Sequence, residues 1–125
     1  MNRVIKFRAF SRIFNEHEMF YDVGIVNKKD GQWFSFNNGS RLYQSGNRVN
    51  IMQFTGLHDK NGKEIYEEDI LKHRLGNLVV YWHDKLLKFV VDIPIIGGDT
   101  SPCDLFQFYD LECIGNIYEN PNLLP

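Results

Sequence analysis

The side chains in this chain that can do chemistry are four histidines (His17, His58, His73, His83), two cysteines (Cys103, Cys113) and a run of acids at Glu64, Glu67, Glu68 and Asp69. A structural zinc site draws its ligands from close pairs such as two cysteines or two histidines a few positions apart. Cys103 and Cys113 stand ten positions apart and no two histidines are near enough to pair, so the spacing disfavours zinc. On a strand, Glu64 and Glu68 share one face and Glu67 and Asp69 the other. Paired carboxylates of that kind serve general acid–base work or hold a hard cation. A hydrolase would also need a partner such as His58, His73 or His83, and no spacing ties one to the acids, so solvated turn acids are the simpler reading. A cysteine–histidine nucleophile is equally unsupported, and neither Gly-rich phosphate-binding pattern, Walker A or GxGxxG, occurs.

Asp59-Lys60-Asn61-Gly62 has the residue types of a calcium loop. An EF-hand needs oxygen ligands at loop positions one, three and five, glycine at six and glutamate at twelve. Here Gly62 falls at position four, Lys63 at five and Ile70 at twelve, which fits a tight turn and not a cation site. No cofactor and no metal is expected.

Cations are concentrated early in the chain. Residues 1–50 carry eight Lys/Arg against four acids, net +4, whereas residues 51–125 carry six against twelve, net −6. Lys6, Arg8 and Arg12, followed by Lys28, Lys29, Trp33 and Phe34, have the makings of a basic, aromatic face for nucleic acid. The net charge of −2 and isoelectric point near 6.0 oppose that reading, because phosphate neutralisation supplies most of such affinity. The same division of charge suits a head-to-tail contact between copies.

The elements that must position these groups are strands. At 125 residues and 43% hydrophobic, the chain is long enough for one domain with its own core. It divides into a basic N-terminal β region (1–50) and an acidic, barrel-like core (51–125). In residues 4–10, Ile5, Phe7 and Ala9 alternate with Lys6 and Arg8, as a half-buried strand requires. Residues 19–26, 32–36, 49–57, 70–73, 78–83, 86–93 and 112–118 read as further strands. Turns are expected at 27–31, at the two polar stretches 37–40 and 45–47, at 59–63 with its Asn61-Gly62, near Gly76-Asn77, and at Asp84-Lys85. Ser101 or Asp104 is placed to cap a short helix running to about Tyr109, with Pro102 in its first turn. The expected fold is mainly β: a small curled antiparallel sheet or SH3-like barrel with one short helix near the C-terminus. No run is long and apolar enough for a membrane-spanning helix, and the two cysteines read as free thiols in a reducing cytoplasm.

Three stretches resemble the YopX family of phage and prophage proteins. They are residues 51–70, from Ile51-Met52-Gln53-Phe54-Thr55-Gly56-Leu57 through Asp59-Lys60-Asn61-Gly62 to Glu67-Glu68-Asp69-Ile70; the C-terminal Ile114-Gly115-Asn116-Ile117-Tyr118-Glu119-Asn120-Pro121; and the opening Ile5-Lys6-Phe7-Arg8-Ala9-Phe10 with Met19-Phe20-Tyr21-Asp22-Val23. In order, they span nearly the whole chain. The resemblance implies a mainly β accessory protein acting in a bacterial host, and it transfers no catalytic residues. Its signature positions (Thr55, Gly56, Asp59, Asn61, Gly62, Asp69, Gly115, Asn116 and Pro121) read as structural. One departure is Glu68, where the family pattern usually has glycine before the aspartate. Either the turn there is built without a positive φ, or it never needed glycine.

Together these readings favour a non-enzymatic protein that works through protein–protein contacts as a homo-oligomer, with an unidentified host or phage protein as a further partner. A nucleic-acid-binding module using Lys6, Arg8 and Arg12 is the alternative, and a hydrolase-type enzyme comes third.

Overall fold

Among the described residues strand follows strand, and helical structure is reduced to 3-10 turns. The computed structural model describes residues 4–12, 17–35, 43–44, 48–105 and 110–124. The turns expected at 37–40 and 45–47, together with Phe36, lie outside these residues. The fold is mainly β and built of curled antiparallel sheet, as the alternating pattern predicts. Contacts divide the chain into two units, Met1–Phe54 and Thr55–Pro125. Residues 51–54 carry no charge, so the +4 and −6 portions of the sequence coincide with these units.

In the first unit, β1 (Phe7–Ser11) lies between β2 (Glu18–Tyr21) and the start of β6 (Val49–His58). Ala9 stands opposite Phe20 on one side and Ile51 on the other. With both edges paired, β1 does not show the half-buried alternation expected of it. Arg8, Ala9, Phe10 and Ser11 are all buried in succession, which requires cover on both faces of the strand. The apolar run 19–26 is likewise not one strand. It breaks at Asp22, whose φ of 56° turns the chain, and resumes as β3 (Gly24–Lys28) in a second sheet with β4 (Gly31–Ser35) and β5 (Tyr43–Gln44). Val23, at the corner, donates its N–H to the Phe7 carbonyl and joins Ala9, Phe34 and Val49 in the core.

The second unit holds the last four residues of β6, then β7 (Glu64–Tyr66), β8 (Asp69–His73), β9 (Gly76–Val79), β10 (Tyr81–His83), β11 (Lys88–Pro94), β12 (Thr100–Asp104) and β13 (Glu112–Asn116). Two three-stranded sheets run β13-β8-β9 and β10-β11-β12. Leu71, Leu78, Val80, Val91, Leu105 and Cys113 pack into its core. The run 78–83, expected as one strand, breaks at buried Val80, where the chain leaves β8 for β11. The turn expected at Gly76-Asn77 sits at residues 74–75, closed by the Leu75 N–H donating to His73 Nδ1 at 3.0 Å. Leu86 and Leu87 belong to the turn before β11, not to the strand.

The expected helix does not start at Ser101 or Pro102. Residues 100–104 are strand β12, with Pro102 opposite Asp92, and residues 106–109 lie outside those described. As an edge strand, β12 tolerates a residue without an N–H, and pairing along β11 outweighs the local capping signals. The defined helical element near the C-terminus is a 3-10 turn, Pro121–Leu123.

Glu68 answers the question posed by its missing glycine. Its φ is 68°, so the turn between β7 and β8 keeps the left-handed conformation and a glutamate bears it. One carboxylate oxygen, Oε2, is also buried without a hydrogen-bond partner. The left-handed region costs a non-glycine residue roughly 1–2 kcal/mol, of which glycine's greater unfolded-state entropy returns about half. Glu68→Gly should therefore stabilise the protein by about 1 kcal/mol, read as a higher denaturant midpoint at unchanged slope. A lower midpoint would mean that the Glu68 side chain contributes more than its backbone strain removes.

Candidate interaction surface

Three backbone N–H groups of the second unit converge on one carboxylate. Asp59, only 6% exposed, accepts the N–H groups of Asn61 and Lys63 on Oδ1 at 2.9 Å each, and that of Cys113 on Oδ2 at 3.0 Å. The first two bonds close the turn in which Gly62 has a φ of 83°. The third reaches β13, and just before that strand the Leu111 carbonyl accepts the Lys60 N–H. Burial raises the Asp59 pKa, but the N–H groups of Cys113, Lys63 and Asn61, together with the Lys63 charge, outweigh it and hold the carboxyl below its ordinary 3.8. Just before this turn, Thr55 Oγ1 donates to the Ile65 carbonyl at 2.7 Å and Gly56 takes a φ of 90°. Asp69 is buried and accepts the Tyr66 N–H at 2.8 Å, closing the turn that contains Glu68.

The C-terminal signature is a second knot. Asn116 Oδ1 accepts the N–H groups of Tyr118 and Glu119, while its Nδ2 donates to Glu119 Oε1. Asn120 Oδ1 accepts the Asn116 N–H. A Cβ on Gly115 would come within 2.4 Å of that same oxygen, so glycine is required by close approach. Pro121 then opens the 3-10 turn.

The remaining candidates for chemistry are dispersed. His73 and His83 use Nδ1 to accept N–H groups in the turns that follow them, His17 meets the Phe10 ring edge-on, and His58 is exposed. Among the described residues no group of three or more His, Cys, Asp or Glu could hold a metal ion. Cys113 is buried, and burial followed by the Asp69 charge pushes its thiol up to about 11. The basic residues Lys6, Arg8 and Arg12 do not form one exposed face. Arg8 is 1% exposed, with its Nε donating to Met52 Sδ. Lys6 lies over the Phe54 ring, and Arg12 lies over Phe10 while donating to Asn50 Oδ1 at 2.6 Å.

Apolar side chains left in solvent define the surface that can do work. In the second unit the β10–β11 hairpin carries exposed Trp82, Leu86 and Leu87, and the β11–β12 turn carries Ile95 and a fully exposed Ile96. Between the ends of β9 and β11 and the C-terminal turn lies a groove of about 590 Å³, lined by Leu75, Pro94, Leu123 and Leu124 with Asp92 in its wall. Tyr81 donates to Asp92 Oδ1 at 2.6 Å. That hydrogen bond, then burial and the Asp92 charge, raises the phenol to about 12. Asn77 Nδ2 donates to the Leu123 carbonyl, fixing the far wall. In the first unit, Val4 and Ile5 are 60% and 62% exposed. Sequence reasoning missed this groove. Its walls come from segments up to about fifty residues apart, and no local pattern marks their convergence.

The family model for YopX protein matches residues 6–125. The chain belongs to the YopX family. Its fold is similar to the crystal structure of protein EF1440 from Enterococcus faecalis, at 26% identity and a TM-score of 0.64, over 99% of this chain and 100% of that one. No curated protein matches.

Two measurements probe the interior of this YopX-family chain. Asp59→Ala leaves the Cys113 N–H buried without a partner and opens the 59–63 turn, a loss of about 3 kcal/mol, read in urea unfolding. Because the folded pKa of Asp59 is lowered, its contribution is complete above the ordinary 3.8 and is lost as pH falls through the folded value. The stability gap between wild type and Asp59→Asn should accordingly close on acidification, and a gap constant to pH 2 would remove the carboxylate as its source. A thiol reagent at neutral pH should label Cys103 in the native protein and Cys113 only on unfolding. Equal labelling rates would mean that the second core opens readily.

Proposed function

We propose that this YopX-family protein is a phage or prophage accessory protein that acts in the cytoplasm of a bacterial host through protein–protein contact. Its first partner is a second copy of itself, and a host or phage protein is a further partner. The observation that carries this reading is the coincidence of charge with structure: the first unit has net charge +4 and the second −6. Opposite fields on two units of one chain attract unlike units of neighbouring copies, accelerate their encounter and disfavour like-with-like pairing. The exposed apolar side chains of both units supply the area that such an encounter would bury. The setting in a phage or prophage follows the family resemblance of residues 51–70 and 114–121.

Light scattering behind size-exclusion chromatography tests the reading. At low ionic strength the untagged protein should elute as a multimer, and it should shift towards monomer in about 1 M salt, where charges more than about 3 Å apart are screened. A monomer at high micromolar concentration and low salt would overturn it.

A further inference from the structure

We propose that copies of this chain join head to tail by seating the Val4-Ile5 segment of one copy in the groove beside Asp92 of the next. The proposal rests on the self-association reading above and names the two surfaces involved.

Three observations lead to it. First, Val4 and Ile5 are aliphatic residues more than half exposed, so most of their apolar surface is left to solvent. They precede β1, and the Lys6 carbonyl is already held by the Phe54 N–H at 2.9 Å. The segment is thus anchored at its base and presents two apolar side chains to solvent. Second, the groove is chemically suited to such a pair. Leu75, Pro94, Leu123 and Leu124 line it, and its volume of about 590 Å³ falls within the range of sites that enclose small apolar groups. Third, the charges match. Arg3 and Lys6 flank Val4-Ile5 in the sequence, the segment belongs to the +4 unit, and the groove belongs to the −6 unit with a carboxylate in its wall. The Tyr81 hydroxyl occupies Asp92 Oδ1 at 2.6 Å and fixes that carboxylate in place.

Each copy offers one segment and one groove, and passed head to tail from copy to copy they make a heterologous contact. Repetition of such a contact closes a ring or extends a filament, according to the rotation between neighbours. Two like grooves would bring like charges together, which disfavours a symmetric face-to-face pair.

The test is complementation between two variants, each substituted at an exposed position. Ile5→Glu places a charge in the segment and leaves the groove intact, whereas Leu75→Glu, at a side chain 56% exposed, spoils the groove and leaves the segment intact. Each variant alone should lose at least about ten-fold in self-affinity and elute as monomer where wild type is multimeric, with the circular dichroism spectrum of wild type and a melt no lower than that of wild type diluted to monomer. Mixed together, they should form a one-to-one dimer that grows no further, because only one segment and one groove remain competent. Should glutamate at either position lower the melt, Ile5→Ser and Leu75→Ser replace the pair. If wild type associates and the single variants still associate, the segment-in-groove contact is overturned while self-association stands. Monomeric variants that fail to combine overturn it as well, since the two residues would then not face each other. A monomeric wild type removes the self-association reading and this proposal with it.

Discussion

The Asp59 carboxylate is the interaction on which the second unit depends. Three backbone N–H groups converge on it, two from its own turn and one from a strand 54 residues later. A neutral acceptor could close the turn. Holding β13 as well calls for a second acceptor oxygen, and charge-assisted bonds of this kind are about twice as strong as neutral ones. Around it the same solution recurs. Asp69 closes the next turn through the Tyr66 N–H, and Asn116 and Asn120 close the last through three more. The unit is a set of short strands whose corners are fastened by side-chain oxygens, and its signature motifs supply those corners.

The first unit is fastened differently. Its central strand buries an arginine beside a methionine sulfur, and its corner at Asp22 carries a positive φ without glycine. A buried guanidinium is retained only where its donors find acceptors, which makes Arg8 part of the packing of β1. Of the other cations, Lys6, Arg12 and Lys28 lie on aromatic rings. Lys6, Arg8 and Arg12 are therefore each engaged with a neighbour of their own unit.

How much of this was legible in the sequence depended on distance along the chain. The 59–63 turn was readable because Asp, Asn and Gly act on their immediate neighbours. The partnership of Asp59 with Cys113 was not, because nothing local to either residue announces it. Period-two alternation gave the mainly β fold but misplaced Arg8, since a strand covered on both faces buries its polar residues too. The helix start signalled by Ser101 and Pro102 was overridden by pairing with β11. Glu68 shows the converse. The resemblance marked the position as unusual, but only the backbone shows that the left-handed turn persists there. The groove beside Asp92 left no trace in the sequence, because its walls come from β9, β11 and the C-terminal turn.

The bond from the Cys113 N–H to Asp59 also bears on how the protein is made. A ribosome releases the chain from its N-terminus, so the first unit has all its strands before the second has its last. Until β13 emerges, Asp59 can hold its own turn but lacks its long-range donor, and β8 keeps an unpaired edge on the side that β13 will fill. For several seconds of synthesis that edge is open to any neighbouring strand, including the β8 of another nascent chain on the same message. β8 spans only five residues, Asp69–His73, so any such mispairing gains few backbone hydrogen bonds before β13 arrives.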